Sequence, residues 1–190
     1  MVGAARLAIA DPSRLGRGLP FALSLLAILG AHEMGHYLAC RRHRIPATLP
    51  YFLPGPPPFG TFGAVIRIRG AIPDRRALFD VAAAGPLAGF CVALPLMVIG
   101  LLGARPIPRG IAEEGVEFGS PLLSAAIERL VHGDVDLAVG SIYLAGWFGM
   151  LVTSLNLFPA GQLDGGHAAY ALSASLHRRL ARTTIVALAA

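Results

Sequence analysis

The chain has 190 residues, of which 55% are hydrophobic and only 14% charged, where a soluble domain carries about 25% charged residues. Its net charge of +5 comes from 16 basic residues, all of them arginine, with no arginine-rich helix or aromatic-interleaved basic patch of the kind that binds nucleic acid. These figures exclude an ordinary soluble domain and describe one compact membrane unit spanning residues 1–190.

The first 18 residues do not read as a signal peptide, because Asp11, Pro12, Arg14 and Arg17 interrupt them. A first apolar span is expected at about 19–40, LPFALSLLAILGAHEMGHYLAC, close to the ~20 residues a bilayer needs. Inside it lies His32-Glu33-Met34-Gly35-His36. Two histidines four apart project from one face of a helix. That face suits a single Zn2+, with Glu33 beside the metal as general base for its water. Ionisable groups within a span are costly and mark functional sites. The competing reading is a pair of packing histidines with a capping glutamate, all of which need partners to offset their desolvation. Gly35 gives room for a helix or a substrate to approach, or serves ordinary packing. Cys40 and Cys91 form no CxxC pair. Cys40 lies one turn after His36, within reach of a metal, but reads better as a small apolar packing residue.

Residues 41–78 carry Arg41, Arg42, Arg44, Arg67, Arg69, Arg75 and Arg76 against Asp74 and Asp80, so this loop is expected on the cytoplasmic side. Its proline-rich part, IPATLPYFLPGPPPFG, is expected to be extended at the membrane boundary. In the following TFGAVIRIRGAI, Ala64, Ile66 and Ile68 alternate with Val65, Arg67 and Arg69, a half-buried strand pattern. Such a strand either accepts an extended peptide by β-addition, with Ala64, Val65 and Ile66 as substrate-binding residues, or forms a short structural hairpin.

A second span is expected at about 79–103, with Gly85 and Gly89 spaced for close helix approach or simply tolerated there. Segment 105–137 sets Arg105, Arg109 and Arg129 against Glu113, Glu114, Glu117, Glu128, Asp134 and Asp136. It is expected outside. A third span follows at about 138–158, and a partial fourth from 181, after Arg178 and Arg179. This topology puts the N-terminus outside despite Arg6, Arg14 and Arg17, which suggests a fragment lacking flanking spans.

A catalytic zinc needs a third protein ligand and one open position. Asp164 is the only acid after residue 136. It follows the third span on the side where the HEMGH helix also ends, which places His32, His36 and Asp164 at similar membrane depth. A helix N-cap and a salt bridge to an arginine are the alternatives for Asp164, and His167 is a second candidate ligand.

HEMGH together with NLFPAGQLDGGH resembles the site-2 protease family of intramembrane zinc metalloproteases (peptidase M50-like), which pairs HExxH on one span with NxxPxxxLDG on a later one. The segments GTFGAVIRIRG and FDVAAAGPLAGF look like its bacterial and plastid branch without a PDZ domain, and the resemblance runs over about residues 20–172. It implies one Zn2+ per chain held by His32, His36 and Asp164, a catalytic Glu33, and Asn156 near the site holding substrate or its oxyanion. The expected fold is an all-α polytopic bundle of transmembrane helices with a short membrane-associated β-strand or hairpin around 60–70. The expected activity is cleavage of transmembrane helices near the cytoplasmic side, in regulated intramembrane proteolysis. The partners are a transmembrane protein substrate and the lipid bilayer, without nucleic acid. Arginine-only basic residues suggest a GC-rich coding sequence and hence a bacterial plasma membrane. Two other classes compete: a membrane metal-binding or transport protein using the same ligands, and an inactive relative that binds helices. A transporter needs no glutamate between two ligands and would carry polar residues along its spans, while the retained Glu33 argues against an inactive relative.

Overall fold

The structure is a computed structural model and describes residues 12–55, 61–107, 122–133, 135, 137–159 and 161–189. Helix α1 (Pro12–Arg42) opens on a proline, the residue best tolerated at a first helical position, where no N–H partner is needed. The helix therefore begins before the apolar run expected at 19. Arg14 and Arg17 interrupt the apolar run without interrupting the helix, because arginine is a good helix former. Arg41 and Arg42 occupy the last turn, where cations suit the negative end of the dipole. Arg44 then takes a left-handed conformation, φ 57°, and the Ile45 N–H donates back to the Cys40 carbonyl at 2.8 Å.

Strands β1 (Tyr51–Pro54) and β2 (Thr61–Val65) form an antiparallel hairpin, with Tyr51 opposite Val65 and a register shift between Leu53 and Pro54. The proline-rich segment is thus extended where it is described; residues 56–60 lie outside the described residues. The strand expected over Ala64–Arg69 is displaced toward the N-terminus. It ends at Val65 because the next backbone donor, Ile66, turns to the Glu33 carboxylate, and Arg67 donates to Thr48 Oγ1. Only an isolated antiparallel bridge, Ala47 with Ile68, continues the pairing.

Helix α2 (Arg75–Leu102) is capped by Asp74, whose Oδ1 accepts from the Ala77 N–H at 2.7 Å. Then come β3 (Arg105–Pro106), α3 (Leu122–His132), β4 (Leu137–Ala138, paired with β3), α4 (Ser141–Asn156), α5 (Asp164–Leu172) and α6 (Ala174–Ala189). The acids Glu113, Glu114, Glu117, Asp134 and Asp136, and with them Arg109, lie outside the described residues.

The fold is mostly helical, and two helical stretches among the described residues are long and apolar enough to cross a membrane, Gly18–Arg42 and Arg75–Leu102. The stretch expected as a third span is shorter. Helix α4 has 16 residues, about 24 Å at 1.5 Å per residue, against a hydrocarbon core of ~30 Å. The expected fourth span falls inside α6, whose Arg178, Arg179 and Arg182 keep it from being a continuous apolar run.

The chain forms two compact units, Met1–Leu25 with Ala93–Phe148, and Leu26–Val92 with Gly149–Ala190. In the first, Phe21 meets Phe148 edge-on with ring centroids 6.0 Å apart. Gly146 there lies so close to Met97 that a Cβ would have no room. In the second, Ala39, Cys40, Ile45, Ala77 and Val81 form a buried cluster. Cys40 is 0% exposed within it, in keeping with the packing role expected from its sequence surroundings.

Candidate metal centre

Every residue of the candidate site belongs to the second unit. His32 and His36 sit one turn apart on α1, both buried, with their Nε2 atoms 3.1 Å apart. Asp164, the first residue of α5, brings Oδ2 to 3.1 Å from His32 Nε2 and 3.3 Å from His36 Nε2. Ligand atoms bound at the usual zinc distances and spaced tetrahedrally lie roughly 3.3 Å from one another. The observed triangle, with edges of 3.1, 3.1 and 3.3 Å, therefore fits a zinc-sized ion. Two imidazoles and a carboxylate are also the borderline donor set that zinc takes.

The backbone around this triangle fixes it. His36 Nδ1–H donates to the Val81 carbonyl at 2.7 Å, which leaves the Nε2 lone pair facing the other two donors. A Cβ on Gly85 would run into the His36 ring, so the absence of a side chain there gives the imidazole its place. Gly89 lies against His32, where a Cβ would stand 3.3 Å from the His32 Cβ and 3.4 Å from Nδ1. The glycine pair read as helix spacing thus also clears the two rings. Gly35 provides the close helix approach, since a Cβ there would strike the Ala84 backbone.

Asp164 is not the N-cap of α5. Leu163 holds that position without a side-chain capping bond, and the Asp164 carboxylate turns to the histidines instead. Among the described residues its ion-pair partners are His32 and His36, not an arginine. Burial pushes the Asp164 carboxyl up, but the hydrogen bonds and charges of His32 and His36 outweigh it and hold it at about 2, so the group is anionic at neutral pH. The left-handed Gly161, φ 59°, lies in the turn before α5. Gly165 lets α5 seat against the Leu157 and Phe158 carbonyls, which a Cβ would strike.

A cavity of ≈ 440 Å³ opens beside the triangle and is lined by Glu33, Ile66, Asn156 and His167 as well. Glu33 Oε2 accepts the Ile66 N–H at 3.0 Å. Asn156, at the end of α4, has Nδ2 3.4 Å from His32 Nε2. His167 stands on the wall and is not one of the three clustered donors. Ala64 and Val65 belong to β2 and do not line the cavity; of the three expected substrate contacts only Ile66 does. The Ile66 amide is expected to be protected from hydrogen exchange. Glu33→Ala should raise its exchange about tenfold or more, since a bond to a charged acceptor carries ~1.5–3 kcal/mol. Exchange mass spectrometry on peptides covering 61–70 reads this out.

Residues 20–190 match the family model described as peptidase family M50. The chain belongs to peptidase family M50. It is 36% identical over 160 residues to a probable chloroplastic zinc metalloprotease of Arabidopsis thaliana, EGY2, covering 82% of this chain and 29% of that protein. It is 35% identical over 161 residues to the protein named EGY1 of Oryza sativa subsp. japonica, another probable chloroplastic zinc metalloprotease, covering 79% of this chain and 27% of that one. The chain thus spans less than a third of these relatives' length. Membership in M50 agrees with the resemblance carried by HEMGH and NLFPAGQLDGGH. Two elements of this candidate centre have no motif in the sequence: the Val81 carbonyl and the ring clearance at Gly85. Any residue offers a carbonyl, so Val81 carried no signal; for the ring clearance the signal was the glycine itself.

Proposed function

We propose that this chain is the core of a zinc-dependent intramembrane endopeptidase that cuts transmembrane helices near the cytoplasmic side. The observation that carries the reading is the donor triangle of His32, His36 and Asp164 with the Glu33 carboxylate beside it in one cavity. Helices α1 and α2 cross the bilayer as an antiparallel pair, with α4 as a third, shorter member of the bundle. The arginine-rich loop between α1 and α2 faces the cytoplasm. His36 is six residues from Arg42, so the centre lies about 9 Å from that end of the helix. The arginine-only basic residues favour a bacterial plasma membrane; the relatives above are chloroplastic by name.

His32, His36 and Asp164 would hold the ion, the two neutral imidazoles and one carboxylate leaving a net positive charge. A bound zinc supplies Lewis acidity, lowering the pKa of a water and polarising a peptide carbonyl. Glu33 accepts the proton of the attacking water and returns it to the leaving nitrogen. The Asn156 amide, already beside His32, donates to the oxyanion that develops. A helical peptide bond is shielded by its own hydrogen bonds and must unwind first; β2, through Ala64 and Val65, offers an edge for the extended segment, and Ile66 just beyond it meets that segment at the cavity wall.

The test is zinc content together with cleavage of a model transmembrane substrate in detergent, before and after chelation. About one zinc per chain, cleavage lost on chelation and restored by zinc, is the expected result. A chain without zinc sinks the reading, and zinc without cleavage turns it toward metal binding or transport.

A further inference from the structure

Helices α1 and α2 enclose a second groove of ≈ 590 Å³ that shares no lining residue with the metal cavity. Its lining includes the small residues Gly35, Ala83 and Ala84, and at Gly35 the two helices approach so closely that a Cβ would strike the Ala84 backbone. Its walls are apolar and open: Leu38 is 56%, Leu87 63% and Phe79 38% exposed. At one end stand Arg42 and Arg76, both exposed. Among the described residues neither arginine has an ion-pair partner. The neighbouring cations are engaged, Arg41 over the Tyr37 ring and Arg75 over the Tyr170 ring, each 6.0 Å from the centroid. Both acids at that end are engaged, Asp80 Oδ2 with His43 Nε2 at 2.8 Å and Asp74 Oδ1 with the Ala77 N–H at 2.7 Å. The groove thus ends in two uncommitted guanidinium groups above an apolar trough. From Arg42 to Gly35 is seven residues, about 10 Å along the helix, against a leaflet core of ~15 Å.

We propose that this groove is a binding site for an anionic phospholipid, its phosphate on Arg42 and Arg76 and one acyl chain along Gly35, Ala83 and Ala84. The chemistry follows the membrane axis. Guanidinium is a bidentate phosphate ligand, and it sits here at the end of the helices where a headgroup would lie. The trough beneath is lined by exposed apolar side chains, Leu38, Phe79 and Leu87, which favour an acyl chain over water. A basic pocket between spanning helices is the general form of such sites. An apolar helix of another chain would fill the trough but offer the two arginines no acceptor.

The proposal rests on the membrane reading of α1 and α2 and is tested with the whole chain in phosphatidylcholine nanodiscs carrying spin-labelled lipid. Spin-labelled phosphatidylglycerol is expected to be immobilised in preference to spin-labelled phosphatidylcholine. Arg42→Gln with Arg76→Gln should remove that preference, by roughly fivefold per arginine, and Arg42→Lys with Arg76→Lys should keep most of it. Arg67→Gln with Arg69→Gln removes the same charge from the loop and should leave the preference unchanged. Equal immobilisation of the two lipids in the wild type overturns the site while leaving the membrane reading intact. Equal loss in both glutamine pairs also overturns it, because the effect would then belong to the general field of the loop. Failure of the chain to enter the nanodiscs at all removes the membrane reading and this proposal together.

Discussion

Glu33→Gln is expected to lower cleavage by roughly 100- to 10,000-fold, the usual contribution of a general acid–base group, with zinc content unchanged. Glutamine keeps the size of the side chain, and its carbonyl oxygen can still accept the Ile66 N–H that Glu33 accepts at 3.0 Å. The cavity therefore keeps its shape and β2 keeps its anchor. The three clustered donors are His32, His36 and Asp164, so an amide at 33 removes no ligand. The proton acceptor alone is lost. Zinc by elemental analysis and cleavage of a model transmembrane substrate, wild type beside variant, give the two readouts. Full activity in the variant would mean that the water loses its proton to another group. Loss of zinc would mean that Glu33 is itself a ligand.

The second large effect is expected at a residue with no side chain. Gly85→Ala should weaken zinc binding about 10- to 100-fold, the cost typical of disturbing the groups that orient a metal ligand. A Cβ at this position runs into the His36 ring. The ring must move, and with it goes the 2.7 Å bond from Nδ1–H to the Val81 carbonyl that sets the tautomer. Gly89→Ala is the internal control. Its Cβ would come no closer than 3.3 Å to His32, a tight contact that a few tenths of an ångström relieves, so its effect should be much smaller. Both substitutions raise helix propensity, so loss of α2 is not a competing cause, and circular dichroism checks it. Equal zinc affinity in the two variants would show that the clearance at Gly85 does not hold the ring.

The centre was legible to the extent that its chemistry lies in short sequence spacings. His32, Glu33 and His36 share one helical turn, and the four-residue interval fixes which face they occupy. Asp164 was reachable because it is the lone acid in its region and because the arginine pattern puts the expected ends of both apolar runs on the same side. The hairpin was half legible: alternation marked a strand, but period two cannot say where pairing stops. It stops at Val65 because a carboxylate from a distant helix claims the next N–H. Helix α1 runs N-terminal of residue 19, through Arg14 and Arg17, because helix propensity and hydropathy are set by different properties of a side chain. The apolar run at 138–158 overstates α4 for the converse reason: its first residue, Ala138, pairs in β4 with β3, and its last residues turn into the approach to Asp164. The contact of His36 with Val81, 45 residues away, has no local trace at all.

The donors of the triangle come from the two separate stretches of chain that make the second unit, with His32 and Asp164 132 positions apart. An ion held by all three closes that whole stretch of chain into a ring, as a removable staple would. Closing a ring of ~100 residues removes several kcal/mol of disorder from the open chain, and an ion that binds only the closed form adds its own mass-action term. Chelation should therefore loosen the protein as well as silence it. The slackening should begin at α5, a helix of nine residues too short to persist unaided, and leave the α1–α2 pair standing.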